Sequence, residues 1–239
     1  MANQSKKMNT QNDSSHISDN SKNRVTSDVN GTKNSSNHWH DVYKDADITK
    51  LGWYENESTP SLQLIEKCNL AKKDLILNVG AGSTTLIDSL LEYGYTNLIA
   101  NDISGKSLNT IKDRLGKKQH FVKWIVDDII NPTELEKIPQ VDLWNDRAVL
   151  HFFVEEKDQD AYFDLLDQKV CKNGYVILAV FNLEGAKRCS GLPVKRYNVK
   201  MLQEKLGAKY ILKDTFNYIY TMPNGEDRNY IYTLFQKTN

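Results

Sequence analysis

The chain has 239 residues, enough for one α/β domain with a substantial core or for two small domains. Its 31 basic and 31 acidic side chains give a formal net charge of zero, so a globally basic surface for nucleic acid is not indicated. No stretch approaches the roughly 20 consecutive apolar residues that span a bilayer, and no apolar secretory core follows the N-terminus.

The first 36 residues are rich in Ser and Asn and contain no aromatic residue. Such a segment cannot bury enough apolar surface to offset its ordering entropy, so residues 1–36 are predicted to be a disordered tail. A targeting role for the tail is the less favoured alternative. The composition then changes abruptly, with a cluster of aromatic residues comprising Trp39, Tyr43, Trp53 and Tyr54. We predict that residues 37–239 form the folded domain.

Helical and strand-like segments alternate from residue 59 onward. Thr59 suits the N-cap of a first helix, and Pro60 suits its first helical position. Apolar runs of strand length follow at 75–79, 97–101, 121–126, 141–145 and 175–181. The segments between them carry apolar residues at helical spacing, and Gly94 and Gly116 supply two of the helix stops. Strands separated by helices of this length predict βαβ units and a parallel, doubly wound sheet.

The end of the chain follows a different pattern. The strand-like runs "KYILKDTFNYIYT" and "NYIYTLFQK" are joined by "MPNGEDR", with no helix between them. This arrangement predicts an antiparallel hairpin that closes one edge of the sheet.

The cysteines indicate the compartment. Cys68, Cys171 and Cys189 are odd in number, widely spaced and form no CxxC pair. This pattern predicts a reduced protein in the cytoplasm and argues against a disulfide scaffold or a zinc cluster. No group of acidic residues and histidines has metal-ligand spacing, so no metal is predicted.

A glycine-rich loop, "NVGAGST", follows the first predicted strand. Gly80 can adopt backbone angles closed to other residues, and Gly82 lets a ligand approach the main chain. The third glycine of the dinucleotide pattern is replaced by Thr85. Asp102 ends the next strand at the spacing expected of a carboxylate that binds ribose hydroxyls, with a helix cap as the alternative. Asp128 follows the third strand at the same edge, so an adenosine-like ligand is expected across these strand ends.

Taken together, the motifs resemble a known family. "LILNVGAGST", "LIANDIS", "KWIVDDI", "VDLWNDRAVLHFF" and "GYVILAVFN" are similar, in this order and spacing, to the successive motifs of class I S-adenosylmethionine-dependent methyltransferases. The resemblance covers roughly residues 38–237. It implies a Rossmann-like α/β fold with a seven-stranded sheet, mostly parallel, whose last strand is antiparallel.

The resemblance also implies S-adenosylmethionine as the cofactor. The positions that it assigns to the cofactor are Asn78, Gly80, Ala81, Gly82, Asp102, Ile103, Asp128, Ile129 and Asn145. The glycine loop would line the methionine and ribose parts, Asp102 would bind the ribose hydroxyls and Asp128 the adenine amino group. Two positions depart from the family pattern, because Asn78 replaces an acid and Thr84 replaces a glycine.

Residues after the fourth strand usually face the transferred methyl group in this family. Asp146 would then take a proton from the acceptor or hold a cationic one, and His151 would serve as a base near neutral pH. Arg147 would bind an anionic group of the substrate. The structural alternatives are that Asp146 caps a helix, that Arg147 pairs with Asp146, and that His151 is a packing residue.

Other segments bear on the acceptor. Trp53 and Tyr54 belong to the aromatic cluster, which either forms a lid over the substrate and cofactor or packs on the sheet. The segment 188–197, after the fifth strand, is expected to approach the acceptor.

The predicted function is methyl transfer from S-adenosylmethionine to an unidentified acceptor. A small molecule is favoured, since "AVLHFF" resembles small-molecule methyltransferases, whereas "NDRA" lacks the motif of enzymes that methylate DNA bases. A protein-lysine N-methyltransferase is the first alternative, because "HWHDVY" and "GWYE" resemble the entry segment of such enzymes. The second is a catalytically silent cofactor-binding module, which Asn78 and Thr84 keep open. Neither a nucleic acid nor a membrane is predicted as a partner.

Overall fold

A seven-stranded sheet forms the centre of the computed structural model, which describes residues 29–238 of the chain, with side chains from residue 35. Its strands are β1 (Ile76–Val79), β2 (Leu98–Asp102), β3 (Val122–Val126), β4 (Val141–Arg147), β5 (Val170–Phe181), β8 (Tyr210–Thr221) and β9 (Asp227–Lys237). The spatial order is β3-β2-β1-β4-β5-β9-β8. Strands β1 to β5 pair in parallel, and β9 pairs antiparallel with both β5 and β8. The predicted doubly wound, mostly parallel sheet with a C-terminal hairpin is confirmed.

A second, two-stranded sheet lies between β5 and the hairpin. Its strands are β6 (Arg188–Cys189) and β7 (Leu192–Pro193), which pair antiparallel. Ser190 and Gly191 both have positive φ, at 48° and 77°, and form the tight turn between the two strands. This small hairpin is not predictable from the sequence, because a two-residue strand has no detectable periodicity.

Six α-helices connect and flank the strands in the part of the chain that the structure describes. They are α1 (Val29–Val42), α2 (Thr59–Lys67), α3 (Leu86–Glu92), α4 (Gly105–Leu115), α5 (Glu156–Lys169) and α6 (Val199–Leu206). Ser58, not Thr59, is the N-cap of α2, so the predicted start was one residue late. Helix α4 ends at Gly116, as predicted, where φ is +54°.

The N-terminal helix meets the predicted tail. Helix α1 begins at Val29 and therefore includes the last part of the segment 1–36. The rest of the predicted tail, residues 1–28, lies outside the described residues. The domain boundary at residue 37 stays a prediction. Helix α1 extends to the N-terminal side of that boundary.

Both faces of the sheet are covered by apolar cores. Leu64, Ile87 and Leu108 from α2, α3 and α4 pack on one face, and Tyr162, Leu166 and Leu202 from α5 and α6 pack on the other. All four residues of β1 are buried, which explains why three of them are apolar, Asn78 being the exception. None of the described helices is long and apolar enough to cross a membrane.

Candidate functional site

The glycine loop joins β1 to α3 at the carboxyl edge of the sheet. Gly80 and Gly82 both adopt φ of +55°, a conformation that other residues rarely adopt. A Cβ atom on Gly80 would lie 2.0 Å from a methyl carbon of Val149, and one on Gly82 would lie 2.7 Å from the Tyr43 hydroxyl. The loop therefore requires glycine at both positions for conformational and for steric reasons.

Asp102 ends β2 directly beside this loop. One carboxylate oxygen accepts a hydrogen bond from the Gly82 amide at 2.7 Å, and the other accepts one from the Ser104 amide at 2.8 Å. Burial raises the pKa of Asp102 to about 6, even though these amide donors act in the opposite direction. The carboxylate thus braces the loop and also lines the cavity in front of it.

A cavity of about 200 Å³ opens in front of the strand ends. Asp102 and Ile103 line it after β2, and Asp128 and Ile129 line it after β3. One oxygen of Asp128 accepts from the Ile130 amide at 3.1 Å, and burial raises the pKa of this carboxyl. The structure thus brings together the four residues that were predicted to hold the ribose and adenine. We call this space the large cavity.

A smaller cavity, of about 50 Å³, lies behind the glycine loop. Its wall includes Asn78 from β1 and Asn145 from β4, and the Asn145 amide donates to the Asn78 side-chain oxygen at 3.2 Å. The Asn78 amide nitrogen and the Asn145 oxygen are buried without a partner in the described residues. Such orphaned groups are costly unless a ligand or water satisfies them. The small cavity therefore offers the Asn78 donor and the Asn145 acceptor to a polar group, and the unpartnered hydroxyls of Ser61 and Ser83 also lie in its wall.

Aromatic side chains roof the large cavity. Trp39 from α1 packs edge-to-face on Trp53 and on Phe152, with ring centroids 5.7 and 5.0 Å apart. The Trp53 indole nitrogen donates to the Tyr43 hydroxyl at 3.1 Å, which ties α1 to the segment that follows it. All four residues line the large cavity, so the arrangement agrees with the lid alternative. Cys189 and Leu192 of the β6–β7 hairpin close the wall nearby, and Tyr54 lines the small cavity.

Arg147 ends β4 where the two cavities meet. Its guanidinium contacts the Glu55 carboxylate at 2.9 Å, as a close ion pair rather than an aligned hydrogen bond. The same group donates to the Trp53 carbonyl at 3.0 Å and to the Tyr232 hydroxyl at 3.1 Å. Because Glu55 already neutralises the guanidinium, Arg147 attracts an anionic substrate less strongly than an unpaired arginine would. The structural alternative, in which Arg147 pairs with Asp146, is wrong, because the Asp146 carboxylate accepts from other groups.

The structure brings neither Asp146 nor His151 to the two cavities. The Asp146 carboxylate is fully buried and accepts from the Val149 and Leu150 amides at 2.9 and 3.0 Å and from the Tyr162 hydroxyl at 2.5 Å. Two of these bonds satisfy amide groups at the start of the short 3-10 turn that begins at Leu150, whose N-cap is Val149, so the role of Asp146 is structural and close to the helix-cap alternative. Burial raises the pKa of Asp146 to about 6.

His151 is also fully buried, between the rings of Phe152 and Phe181. Neither ring nitrogen has a hydrogen-bond partner in the described residues. Burial, reinforced by the nearby Arg147 charge, lowers the pKa of His151 to about 3. A neutral imidazole sealed in an apolar layer corresponds to the packing alternative, and we base no proton transfer on it.

Comparison with known proteins finds a domain match over part of the chain. Residues 77–178 match a family model described as a methyltransferase domain. No curated protein matches the chain.

Solved structures match the whole fold. An S-adenosylmethionine-dependent methyltransferase from Anabaena variabilis has a TM-score of 0.68 at 11% identity, over 88% of this chain and 96% of that one. The N-methyltransferase NodS of Bradyrhizobium japonicum, in complex with S-adenosylhomocysteine, has 0.62 at 12%, over 84% and 100%. A Burkholderia thailandensis 1,6-didemethyltoxoflavin-N1-methyltransferase, with that compound and S-adenosylhomocysteine bound, has 0.61 at 17%, over 87% of each chain.

The fold and the glycine loop are those of nucleotide-binding α/β proteins. Residues 77–178 match a methyltransferase domain, and the chain has the fold of the S-adenosylmethionine-dependent methyltransferases named above, which implies S-adenosylmethionine as the cofactor. The site fits this cofactor, because the large cavity carries carboxylates and apolar side chains and the small one carries unpartnered amide groups. The role of each site residue stays a prediction.

Some residues of the site escaped the sequence analysis. Glu55 is one of two acids in "YENES", and no motif distinguishes it. Phe152 and Tyr232 lie in ordinary apolar runs of the sequence. Their place in the site follows only from the tertiary packing.

Proposed function

We propose that this enzyme transfers the methyl group of S-adenosylmethionine to a small molecule with a flat, largely uncharged acceptor region. The observation that carries this proposal is the aromatic roof over the large cavity. Trp39, Trp53 and Phe152 roof the large cavity, whose carboxylates we assign to the adenosine, and these aromatic side chains suit a flat ring of the acceptor better than a folded protein surface. The ligand named for the Burkholderia structure is likewise a small molecule.

The charges around the cavity support an uncharged acceptor. Arg147 is the only basic residue among the described residues that line the large cavity, and Glu55 already balances it. Four acidic residues line the same cavity, namely Asp102, Asp127, Asp128 and Asp158. The family pattern assigns Asp102 and Asp128 to the cofactor end. A carboxylate or phosphate on the acceptor would therefore find no free cation there.

The cofactor, when bound, supplies an electrophilic methyl group, and the protein positions the acceptor and excludes water. In this proposal Asp102 and Asp128 hold the ribose and adenine, and Asn78 and Asn145 meet the methionine part. Ile103 and Ile129 pack on the adenine, while Gly80, Ala81 and Gly82 provide the close backbone approach. The roof residues orient the acceptor and keep water out of the cavity.

A cytoplasmic location is part of the same proposal. It rests on the cysteine pattern, and all three cysteines are free in the structure.

Methyl-labelled S-adenosylmethionine, incubated with the enzyme and a cell extract, tests the nature of the acceptor. After separation by size, label that depends on the enzyme is expected in the small-molecule fraction. The Asp102→Ala variant serves as the control for background transfer. Label in a protein band would replace the proposal with protein methylation, and label in neither fraction would contradict it.

A further inference from the structure

The two cavities share three lining residues, Trp53, Gly80 and Arg147. The small cavity offers amide groups, and the large cavity offers carboxylates and apolar walls. S-adenosylmethionine has a polar amino-acid end and an adenosine end, which are joined at a positively charged sulfur. If each end occupies the cavity that suits it, the sulfonium must lie near the shared residues.

Arg147 carries a permanent positive charge at the place where the two cavities meet. The Arg147 side chain is only 14% exposed and its guanidinium stays protonated at all relevant pH values. The rings of Tyr220 and Tyr230 lie 5.0 and 5.2 Å from its central carbon, which places aromatic faces rather than water around it. An unbalanced guanidinium in such surroundings repels a second cation strongly, because the local screening is weak.

Glu55 provides the balancing charge. Its side chain is 8% exposed and its carboxylate lies 2.9 Å from the guanidinium. The backbone around it is fixed at three successive carbonyls, since Arg147 binds that of Trp53, Tyr220 that of Tyr54 and Thr85 that of Glu55 itself. The backbone that carries the carboxylate is thus held by β4, β8 and the start of α3 together.

We propose that Glu55 is a charge-compensating residue for the cofactor, which cancels the Arg147 charge where the sulfonium binds. Its loss should therefore weaken the binding of S-adenosylmethionine more than that of S-adenosylhomocysteine, whose sulfur is neutral. The inference uses the cofactor and the two cavities only, so it does not depend on the identity of the methyl acceptor.

Calorimetric titration with both compounds tests the proposal without any turnover. The measured quantity is the ratio of the two affinities within one protein, so a loss of folded protein affects both values alike. In the Glu55→Gln variant, the affinity for S-adenosylmethionine relative to that for S-adenosylhomocysteine should fall about tenfold, which corresponds to about 1.4 kcal/mol. The double variant E55Q/R147M, which removes both charges, should return the ratio to within about twofold of the wild-type value.

Asp88→Asn is the matched control. Asp88 also pairs with an arginine, Arg114, at 2.6 Å, and Arg114 binds the carbonyls of Ser83 and Thr84 in the glycine loop. Asp88 lines neither cavity, so its loss should leave the affinity ratio unchanged.

An unchanged ratio in Glu55→Gln, with both affinities lowered equally, would overturn the proposal and leave Glu55 a structural residue. If Glu55→Gln does not fold, the same ratio of affinities is measured for the Arg147→Met variant at pH 8.5. Removal of the cation should then shift the ratio toward S-adenosylmethionine, and a wild-type ratio would overturn the proposal. Failure to find a small-molecule acceptor would affect none of these measurements.

Discussion

Asp102 combines two tasks within one carboxylate. It holds the Gly82 amide and so shapes the glycine loop, and it faces the large cavity where the ribose is expected. Its buried position raises its pKa to about 6, so the charged form is less favoured than in water. A ligand with hydroxyl donors would stabilise that charged form, because hydrogen bonds to a carboxylate are strengthened by its charge.

Substitution Asp102→Ala should weaken S-adenosylmethionine binding. The expected loss is that of a charge-assisted hydrogen bond, about 1.5–3 kcal/mol, or roughly ten- to a hundredfold in affinity. Calorimetric titration measures it, and thermal melting without cofactor shows whether the loop itself is damaged. An affinity equal to that of the wild type would contradict the ribose assignment.

His151 gives the stability a specific pH dependence. Its pKa is lowered from 6.5 to about 3 by burial, so the unfolded state binds more protons between these two values. Stability from this group is therefore complete above pH 6.5 and decreases as the pH falls toward 3. Asp102 and Asp146, whose raised pKa values have the opposite effect between about pH 4 and 6, are present in wild type and variant alike.

The His151→Phe variant should lose less stability as the pH falls, because phenylalanine keeps the ring contacts with Phe152 and Phe181 and cannot be protonated. Urea unfolding of both proteins at pH 4 and pH 7 measures the effect as a difference of differences. Parallel pH profiles would refute the buried, neutral state. Loss of turnover with intact cofactor affinity would instead support the predicted catalytic role.

At the scale of single residues, the sequence predicts what depends on local geometry. Gly80, Gly82 and Asp102 follow from a strand, a turn and a fixed spacing along the chain. Glu55 and Arg147 are far apart in sequence, and only the packing of the N-terminal segment on β4 brings them together. Asp146 and His151 show the same limit, because a sequence does not tell whether a polar side chain points into a cavity or into the core.

At the scale of elements, α1 is the part that depends most on its surroundings. Its sequence, "VNGTKNSSNHWHDV", consists largely of weak helix formers, so packing rather than propensity must stabilise it. Tyr43, just beyond it, is buried against the glycine loop, and Trp39 contacts Trp53 and Phe152. For this reason the composition of residues 1–36 predicted a tail where the helix has already begun.

Trp39→Ala tests the roof as a lid. The change removes the edge-to-face contacts with Trp53 and Phe152 across the roof, each worth about 0.5–1.5 kcal/mol beyond the buried area. We expect S-adenosylhomocysteine to dissociate about tenfold faster in stopped-flow measurements.

Trp124→Ala is the control, because Trp124 lies on β3 and its indole binds the Gln119 carbonyl, away from both cavities. Equal dissociation rates in wild type and Trp39→Ala would mean that Trp39 only packs beside the site.

The strands were more predictable than the N-terminal helix. Their apolar runs and separating helices are long, and the parallel arrangement follows from the need for a crossover between strands. The small β6–β7 hairpin was missed since it contains two residues per strand. Its turn nevertheless places Cys189 and Leu192 in the cavity wall, where the segment 188–197 was expected.

At the scale of the whole molecule, the strand order locates the site. Strand β1 lies between β2 and β4, so the connections after β1 and β4 diverge to opposite faces and leave a crevice. Strands β8 and β9 bring Tyr220, Tyr230 and Tyr232 to the far side of Arg147. The end of the chain thus supports the segment that carries Glu55 and Trp53, and the N-terminal helix covers the same crevice from outside.

This arrangement predicts where the functional domain begins. A chain that starts at Val29 keeps α1, and we expect it to retain the melting temperature and the S-adenosylhomocysteine affinity of the full protein. A chain that starts at Asp45 loses Trp39 and Tyr43 and uncovers the glycine loop. Its affinity should fall at least tenfold, and its melting temperature should fall by several degrees, since about 1 kcal/mol corresponds to roughly 2–4 °C at this size.

Scanning calorimetry and titration of the two shortened proteins against the full chain measure both quantities. If the chain that starts at Val29 loses affinity, residues 1–28 belong to the functional domain and the predicted tail is wrong. If the chain that starts at Asp45 keeps full affinity, α1 does not act on the cofactor site, and the roof must be stabilised by Trp53 and Phe152 without it. A domain that begins at α1 and is closed by it requires two results together. The chain that starts at Asp45 must lose affinity for S-adenosylhomocysteine, and the chain that starts at Val29 must keep it.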